Sequence, residues 1–112
     1  MSFKHQVHMR ELDRRALQTQ NVRFSGRAGV SGKAGSVGAA PAFRDDATGT
    51  VYLSRFSSGC PAPCHVLDGL PEALVERRSR NGRVAAVKGS VIAGFPYQCR
   101  FYTRQQAASE LA

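Results

Sequence analysis

The chain has 112 residues, of which 16 are Lys or Arg and 8 are Asp or Glu, so it carries a net charge of +8. That length allows one small domain, and the longest apolar stretches, VAAV and VIAGF, are far too short to cross a bilayer. The N-terminal residues lack the apolar segment of a secretory signal, and three cysteines make an odd count for a disulfide framework. We therefore expect a cytoplasmic protein without membrane contact or disulfides.

The excess of positive charge is the strongest global feature, because most of the basic residues are arginine. A guanidinium group is a planar fork that matches phosphate oxygens and stacks on aromatic rings. A polyanionic partner is therefore favoured. Arginine, alanine and glycine enrichment is equally typical of a GC-rich coding sequence, so composition by itself leaves the function open.

The N-terminal segment predicts a helix followed by a short strand. Over residues 6–18 (QVHMRELDRRALQ), Met9, Leu12 and Ala16 recur at helical spacing and Leu17 widens the apolar stripe. Residues 21–24 (NVRF) are typical of a short strand.

A glycine at every third position marks the next segment, residues 26–40. It is not a phosphate-binding loop, because Ala34 follows Lys33 and Arg27 stands where the motif requires its first glycine. It contains no G-x-G fingerprint and too few triplets, without proline, for a collagen helix. We predict a mobile tether or long loop; a loop that becomes ordered against RNA or a partner is the alternative.

Two hairpins are predicted after Pro41. The first joins AFR (42–44) to TVYLSRF (50–56) through the turn DDATG, and apolar residues on both faces of its second strand favour a central position. The second joins strands near 73–79 and 83–88 through Asn81-Gly82, a strong hairpin signal.

Shorter sequence patterns predict the remaining elements of the C-terminal part. HVL (65–67) is a candidate strand, SVIAGF (90–95) is a strand or a helical turn, and QCRFYT (98–103) alternates as a strand does. Thr103 and Gln106 then form a capping box that begins a terminal helix.

These elements predict an α+β fold: a small twisted antiparallel β-sheet of about five strands with an N-terminal and a C-terminal helix and a long Gly-rich loop. The predicted organisation is an N-terminal helix and strand (1–25), the Gly-rich loop or tether (26–40), and a β-rich core with the terminal helix (41–112).

Four segments, DDATGTVYLSRF, HVLDGLPEALV, GRVAAVKGSV and RFYTRQQAA, resemble short proteins of GC-rich proteobacteria that are often carried in accessory or mobile DNA. The resemblance covers roughly residues 41–109. It implies a bacterial cytoplasmic setting and no particular activity, and these relatives have no obvious Cys/His set.

One candidate metal site lies in the loop Cys60-Pro-Ala-Pro-Cys64-His65, whose two cysteines have a spacing that zinc sites use. Cys99, or the distant His5 or His8, would have to complete four ligands. Because adjacent side chains in extended chain point to opposite sides, Cys64 and His65 do not readily share one metal. We therefore assign no metal or other cofactor, and keep a small zinc-binding domain as an alternative.

A catalytic thiolate is the second candidate chemistry. Cys60 or Cys64 would need a lowered pKa and a base held in place, for example a histidine oriented by Asp68. Spacing indicates neither, so we expect no enzymatic activity and name no catalytic residue.

The third candidate is a nucleic-acid-binding site. It consists of basic side chains around the Asn81-Gly82 turn together with aromatic and basic residues on a later strand. Cations follow a phosphate chain while aromatic rings on a sheet stack on unpaired bases. The predicted nucleic-acid contacts are Arg77, Arg78, Arg80, Arg83, Lys88, Arg100, Tyr102 and Arg104.

The sequence therefore favours a small non-catalytic basic binding protein that contacts DNA or RNA through the arginine-rich hairpin. The main alternative is a protein–protein interaction or inhibitor module from a mobile element, directed at an acidic protein surface.

Overall fold

The computed structural model describes residues 11–24, 28–30, 34–35 and 38–111. Its strands and helices follow one another as β1 (Leu12–Asp13), α1 (Arg14–Arg23), β2 (Ala42–Asp45), β3 (Thr50–Leu53), a 3-10 turn (Glu72–Leu74), β4 (Val75–Arg78), β5 (Val84–Val87), β6 (Val91–Tyr97), β7 (Arg100–Thr103) and α2 (Arg104–Glu110).

The strands form two antiparallel sheets. A three-stranded sheet has the order β1-β5-β4, and a four-stranded sheet has the order β3-β2-β6-β7. The α+β class is confirmed, whereas the single sheet of about five strands is not what forms. The difference arises because the two predicted hairpins belong to different sheets, and β1 adds to β5 through Leu12 opposite Val87.

The N-terminal helix begins later than the sequence predicts. Asp13 is extended and its carboxylate accepts a hydrogen bond from the Ala16 backbone N–H at 2.7 Å, so it caps α1. The predicted helix over 6–18 is therefore wrong for residues 11–13, and its earlier part lies outside the described residues. The predicted strand over 21–24 is also wrong, because residues 21–23 continue α1 and Phe24 closes it.

Both predicted hairpins form, but β3 ends at Leu53 rather than at residue 56, and residues 73–74 belong to the 3-10 turn. In addition, β3 lies at an edge of its sheet rather than in the centre. HVL forms no strand: Ser54 instead fixes this loop by accepting a hydrogen bond from the Val66 N–H and donating one to the Cys64 carbonyl. The segment SVIAGF is a strand, since Val91–Tyr97 pairs with both β2 and β7.

Apolar side chains bury one face of the four-stranded sheet. Phe43 and Val91 on this face pack with residues of β1, α1, β5 and the 67–74 segment in the larger cluster. Phe95, further along the same face, packs on α2 through Ala107 in the smaller cluster. The capping box predicted at Thr103 and Gln106 is present and begins that helix.

Part of the glycine tract packs against this core. Ala28, Ala34 and Ala39 are buried, and a Cβ at Gly29 would meet the Arg104 carbonyl oxygen at 2.6 Å. At these positions the chain is held against the domain, whereas Gly35, Gly38 and Ala40 are exposed. Residues 26–27, 31–33 and 36–37 of the predicted tether lie outside the described residues.

A two-residue turn, Gln98–Cys99, joins β6 to β7, and both residues have positive φ values of 50° and 66°. Two-residue hairpin loops favour this backbone because its twist matches that of the strands, but they normally place glycine or asparagine there. Gln98 and Cys99 therefore hold a conformation that costs energy for side chains with a Cβ.

We expect Cys99→Gly to stabilise the protein by about 1 kcal/mol, because it relieves this cost. Urea unfolding measures the effect. Cys99→Ser is the matched control, since it removes the thiol but keeps the Cβ. Equal unfolding midpoints for the two variants would contradict the prediction.

Candidate nucleic-acid interface

Three of the predicted hairpin cations are exposed but paired with carboxylates from other parts of the chain. Arg77 donates to Glu11 at 3.1 Å, and Arg78 to Glu72. Arg83 donates to Asp68 at 2.8 Å. Each guanidinium is thus oriented and its charge partly compensated.

Asp68 is the most constrained of these carboxylates, because Arg14 at the start of α1 and Arg83 in the hairpin both donate to it. Burial by itself would raise the pKa of Asp68, but hydrogen bonds and positive charge from Arg83 and Arg14 outweigh burial and lower it. The carboxylate therefore stays ionised and joins α1 to the hairpin.

Charge around the hairpin is close to balanced. Arg80 and Lys88 are exposed and form no ion pair with any described residue. Five of the eight acidic residues lie in or against the three-stranded sheet that contains the hairpin: Glu11, Asp13, Asp68, Glu72 and Glu76. The hairpin is therefore a weaker attractor for a polyanion than its sequence indicates.

The three remaining predicted contacts, Arg100 and Tyr102 on β7 and Arg104 at the start of α2, have different surroundings. Arg100 is exposed and its guanidinium lies 4.6 Å from the ring centre of Tyr102, while Tyr102 is half-buried against Tyr97. Arg104 is only 3% exposed. Burial lowers the pKa of its guanidinium to about 10, so it is charged at neutral pH.

The Arg104 guanidinium connects three segments: it donates to the Gly29 carbonyl at 2.7 Å and to the side chains of Gln20 and Asn21. This side chain therefore holds the end of α1 and part of the glycine tract against α2. It serves the fold, and it is not part of the surface described next.

The second face of the four-stranded sheet is partly exposed. Cross-strand partners point to the same side of a sheet, and the pairing of Val51 with Arg44 and of Arg44 with Ile92 places these three together. Alternation puts Leu53 and Phe101 on the same side. We call Arg44, Val51, Leu53, Ile92 and Phe101 the open sheet face.

An arginine–aromatic stack lies on the open sheet face. The Phe101 ring lies against Gly94, where an added Cβ would be 2.6 Å from its Cζ atom. The Arg44 guanidinium is 4.8 Å from the centre of this ring, and its Nε donates to Asp46 at 2.6 Å. Glycine thus lets the ring lie on the sheet, and Asp46 helps hold the guanidinium beside it.

Sequence reasoning missed this surface. The strand predicted over 98–103 forms at Arg100–Thr103, whereas Gln98 and Cys99 form the turn before it. The sequence alternation of Arg100 and Tyr102 against Phe101 does not say which side packs on α2. Gly94 is the one available signal, because a glycine within a strand often marks a close approach to another group.

The cysteine loop does not assemble ligands with its histidine. His65 is largely buried: its Nε2 lies 2.9 Å from the Gly94 carbonyl oxygen, and its ring contacts the edges of Phe43 and Phe95. Cys60, Cys64 and Cys99 are exposed. No group of three or more potential metal ligands occurs among the described residues; His5 and His8 lie outside them.

Comparison of the chain with protein-family models, with curated proteins and with solved structures finds no match. In the part of the chain that the structure describes, no helix has the length and apolar character needed to span a membrane.

Proposed function

We propose that this protein is a non-catalytic nucleic-acid-binding protein and that the nucleic acid lies across the open sheet face. The observation that carries this proposal is the Arg44–Phe101 stack on a partly exposed antiparallel sheet in a chain of net charge +8. A guanidinium that lies over an aromatic ring can contact a phosphate and also extends the planar surface on which a base can stack.

Carboxylates are fewer at this face than at the hairpin, and Arg44, like the paired hairpin arginines, has one carboxylate partner, Asp46. Among the acidic residues, Asp46 is the one that accompanies the open sheet face. Asp45 is buried and points to the other side, and Glu110 pairs with Arg100. A phosphate chain on this face would therefore meet less carboxylate repulsion than at the hairpin, where five acids gather.

Apolar neighbours of the stack fit unpaired bases as well. Val51 and Leu53 are 42% and 41% exposed, and Ile92 lies between them and Phe101 in the sheet. Bases stack on rings and lie on aliphatic side chains with little sequence preference, so we expect modest sequence specificity.

We test the proposal by fluorescence anisotropy of labelled oligonucleotides across a salt series. Phe101→Leu should weaken binding about tenfold without changing the salt slope, because it removes stacking and no charge. The slope of log K against log salt is negative, and Arg44→Gln should make it less steep by about 0.7, because one phosphate contact is lost.

Arg80→Gln is the matched control for Arg44→Gln, since it removes the same charge from an exposed position at the hairpin turn. It should leave the salt slope nearly unchanged. If no oligonucleotide binds at low salt, or if Arg80→Gln makes the slope less steep and Arg44→Gln does not, the proposal fails.

A protein partner is the second candidate function, favoured by the edge strand β3. Val51 and Leu53 are exposed there, and β3 has a neighbour on one side only in its sheet. An acidic extended segment that paired with this edge would combine backbone hydrogen bonds with charge attraction. In that case Leu53→Glu should abolish partner binding, because it places a like charge against the acidic segment, and oligonucleotides should not compete for the site.

A further inference from the structure

We infer that a cavity beside the open sheet face accepts one unpaired nucleobase, so that the protein selects single-stranded over duplex nucleic acid. This inference rests on the proposed function and adds the class of nucleic acid. It starts from a cavity of about 230 Å³ lined by Gln20, Arg23, Phe24, Ile92, Thr103 and Gln105, with Ala93 and Arg104.

The cavity adjoins the arginine–aromatic stack. Ile92 is the cross-strand partner of Arg44, and Thr103 is the partner of Gly94, on which the Phe101 ring lies. A strand of nucleic acid with one base on Phe101 would therefore bring the neighbouring base to this cavity.

The lining of the cavity combines an apolar surface with hydrogen-bond donors and hydrogen-bond acceptors. Ile92 supplies aliphatic contact, and Phe24, which is 5% exposed, forms part of the cavity floor. Gln20 accepts from Arg104 through its Oε1, which leaves its amide N–H groups as donors. The Gln105 Nε2 donates to Ser109, which leaves its Oε1 as an acceptor. A nucleobase edge also carries donors and acceptors, so the two glutamines offer complementary contacts.

A phosphate contact is available at the same place. Arg23 ends α1, is exposed, and holds its guanidinium 5.5 Å from the ring centre of Phe24. The backbone of an inserted nucleotide would pass this cation. In a duplex the bases are stacked and paired, so a base reaches the cavity only after unpairing, which costs energy.

The test compares a single strand of about 12 nucleotides with a duplex of the same composition, at the same salt concentration, by fluorescence anisotropy. We expect roughly tenfold tighter binding of the single strand. Gln105→Ala should weaken single-strand binding about three- to tenfold, the value of one lost hydrogen bond, and leave duplex binding unchanged. Gln18→Ala, an exposed glutamine of α1 that does not line the cavity, is the matched control.

Each outcome separates the two proposals. Equal affinity for single strand and duplex would overturn the inference and leave the proposed function standing. Single-strand preference that survives Gln105→Ala and also Arg23→Gln would overturn the assignment to this cavity. Failure of both oligonucleotides to bind at low salt would overturn the proposed function itself.

Discussion

Acidification from about pH 7 to pH 4 should remove about 3 kcal/mol of unfolding free energy through His65 alone. Burial lowers the pKa of His65 from 6.5 to about 4, against the opposing effect of its hydrogen bond to Gly94. One pKa unit corresponds to about 1.4 kcal/mol, and 2.5 units separate the folded and unfolded states.

The sign follows from proton binding. Between pH 6.5 and pH 4 the unfolded chain holds a proton on His65 and the folded chain does not, so unfolding takes up a proton and becomes easier as the pH falls. The loss begins near pH 6.5 and is complete near pH 4. Asp68 acts in a different range, because its pKa is lowered from 3.8 and its contribution is lost only below about pH 4.

Urea unfolding at several pH values between 7.5 and 4 measures this effect, with His65→Gln as the comparison. Glutamine does not titrate and keeps a donor toward the Gly94 carbonyl, so the variant should be less stable at neutral pH yet nearly constant across the range. A variant that loses as much stability on acidification as the wild type would show that His65 is not responsible.

Gly94→Ala should also cause a large loss of unfolding free energy. A Cβ there would lie 2.2 Å from the Tyr102 carbonyl oxygen and 2.6 Å from the Phe101 ring. The first contact involves backbone of the paired strand β7, which cannot move without breaking the sheet. We expect a destabilisation of about 3 kcal/mol, at the upper end for one added methyl group.

Gly35→Ala is the matched control, since nothing lies within 4 Å of a Cβ at that position. It should change the unfolding free energy by less than about 0.5 kcal/mol. Similar unfolding midpoints for the two variants, measured by urea or heat, would contradict the close approach of Phe101 and β7 to Gly94.

The sequence predicts those parts of the fold that depend on neighbours in the chain. The DDATG and Asn81-Gly82 turns and the Thr103–Gln106 capping box each involve residues a few positions apart, and all three form. The third strand of the smaller sheet depends on β1 joining β5, a contact across more than seventy residues that local patterning does not specify.

Contacts between residues distant in sequence also explain why the hairpin is less basic than its sequence indicates. The hairpin arginines are adjacent in sequence and so look like one basic patch. Their partners Glu11 and Asp68 lie 66 and 15 residues away from Arg77 and Arg83, so the compensation appears only after folding. Arg104 is similar, because its contacts to Gly29 and Asn21 span 75 and 83 residues.

We propose that nucleic acid binds the open sheet face rather than the basic hairpin. Backbone amide chemical shifts recorded during titration with a single-stranded oligonucleotide test it most directly. We predict that the shifts concentrate at Arg44, Ile92 and Phe101 and leave residues 77–83 nearly unchanged. Shifts confined to residues 77–83, or none at low salt, would contradict the account.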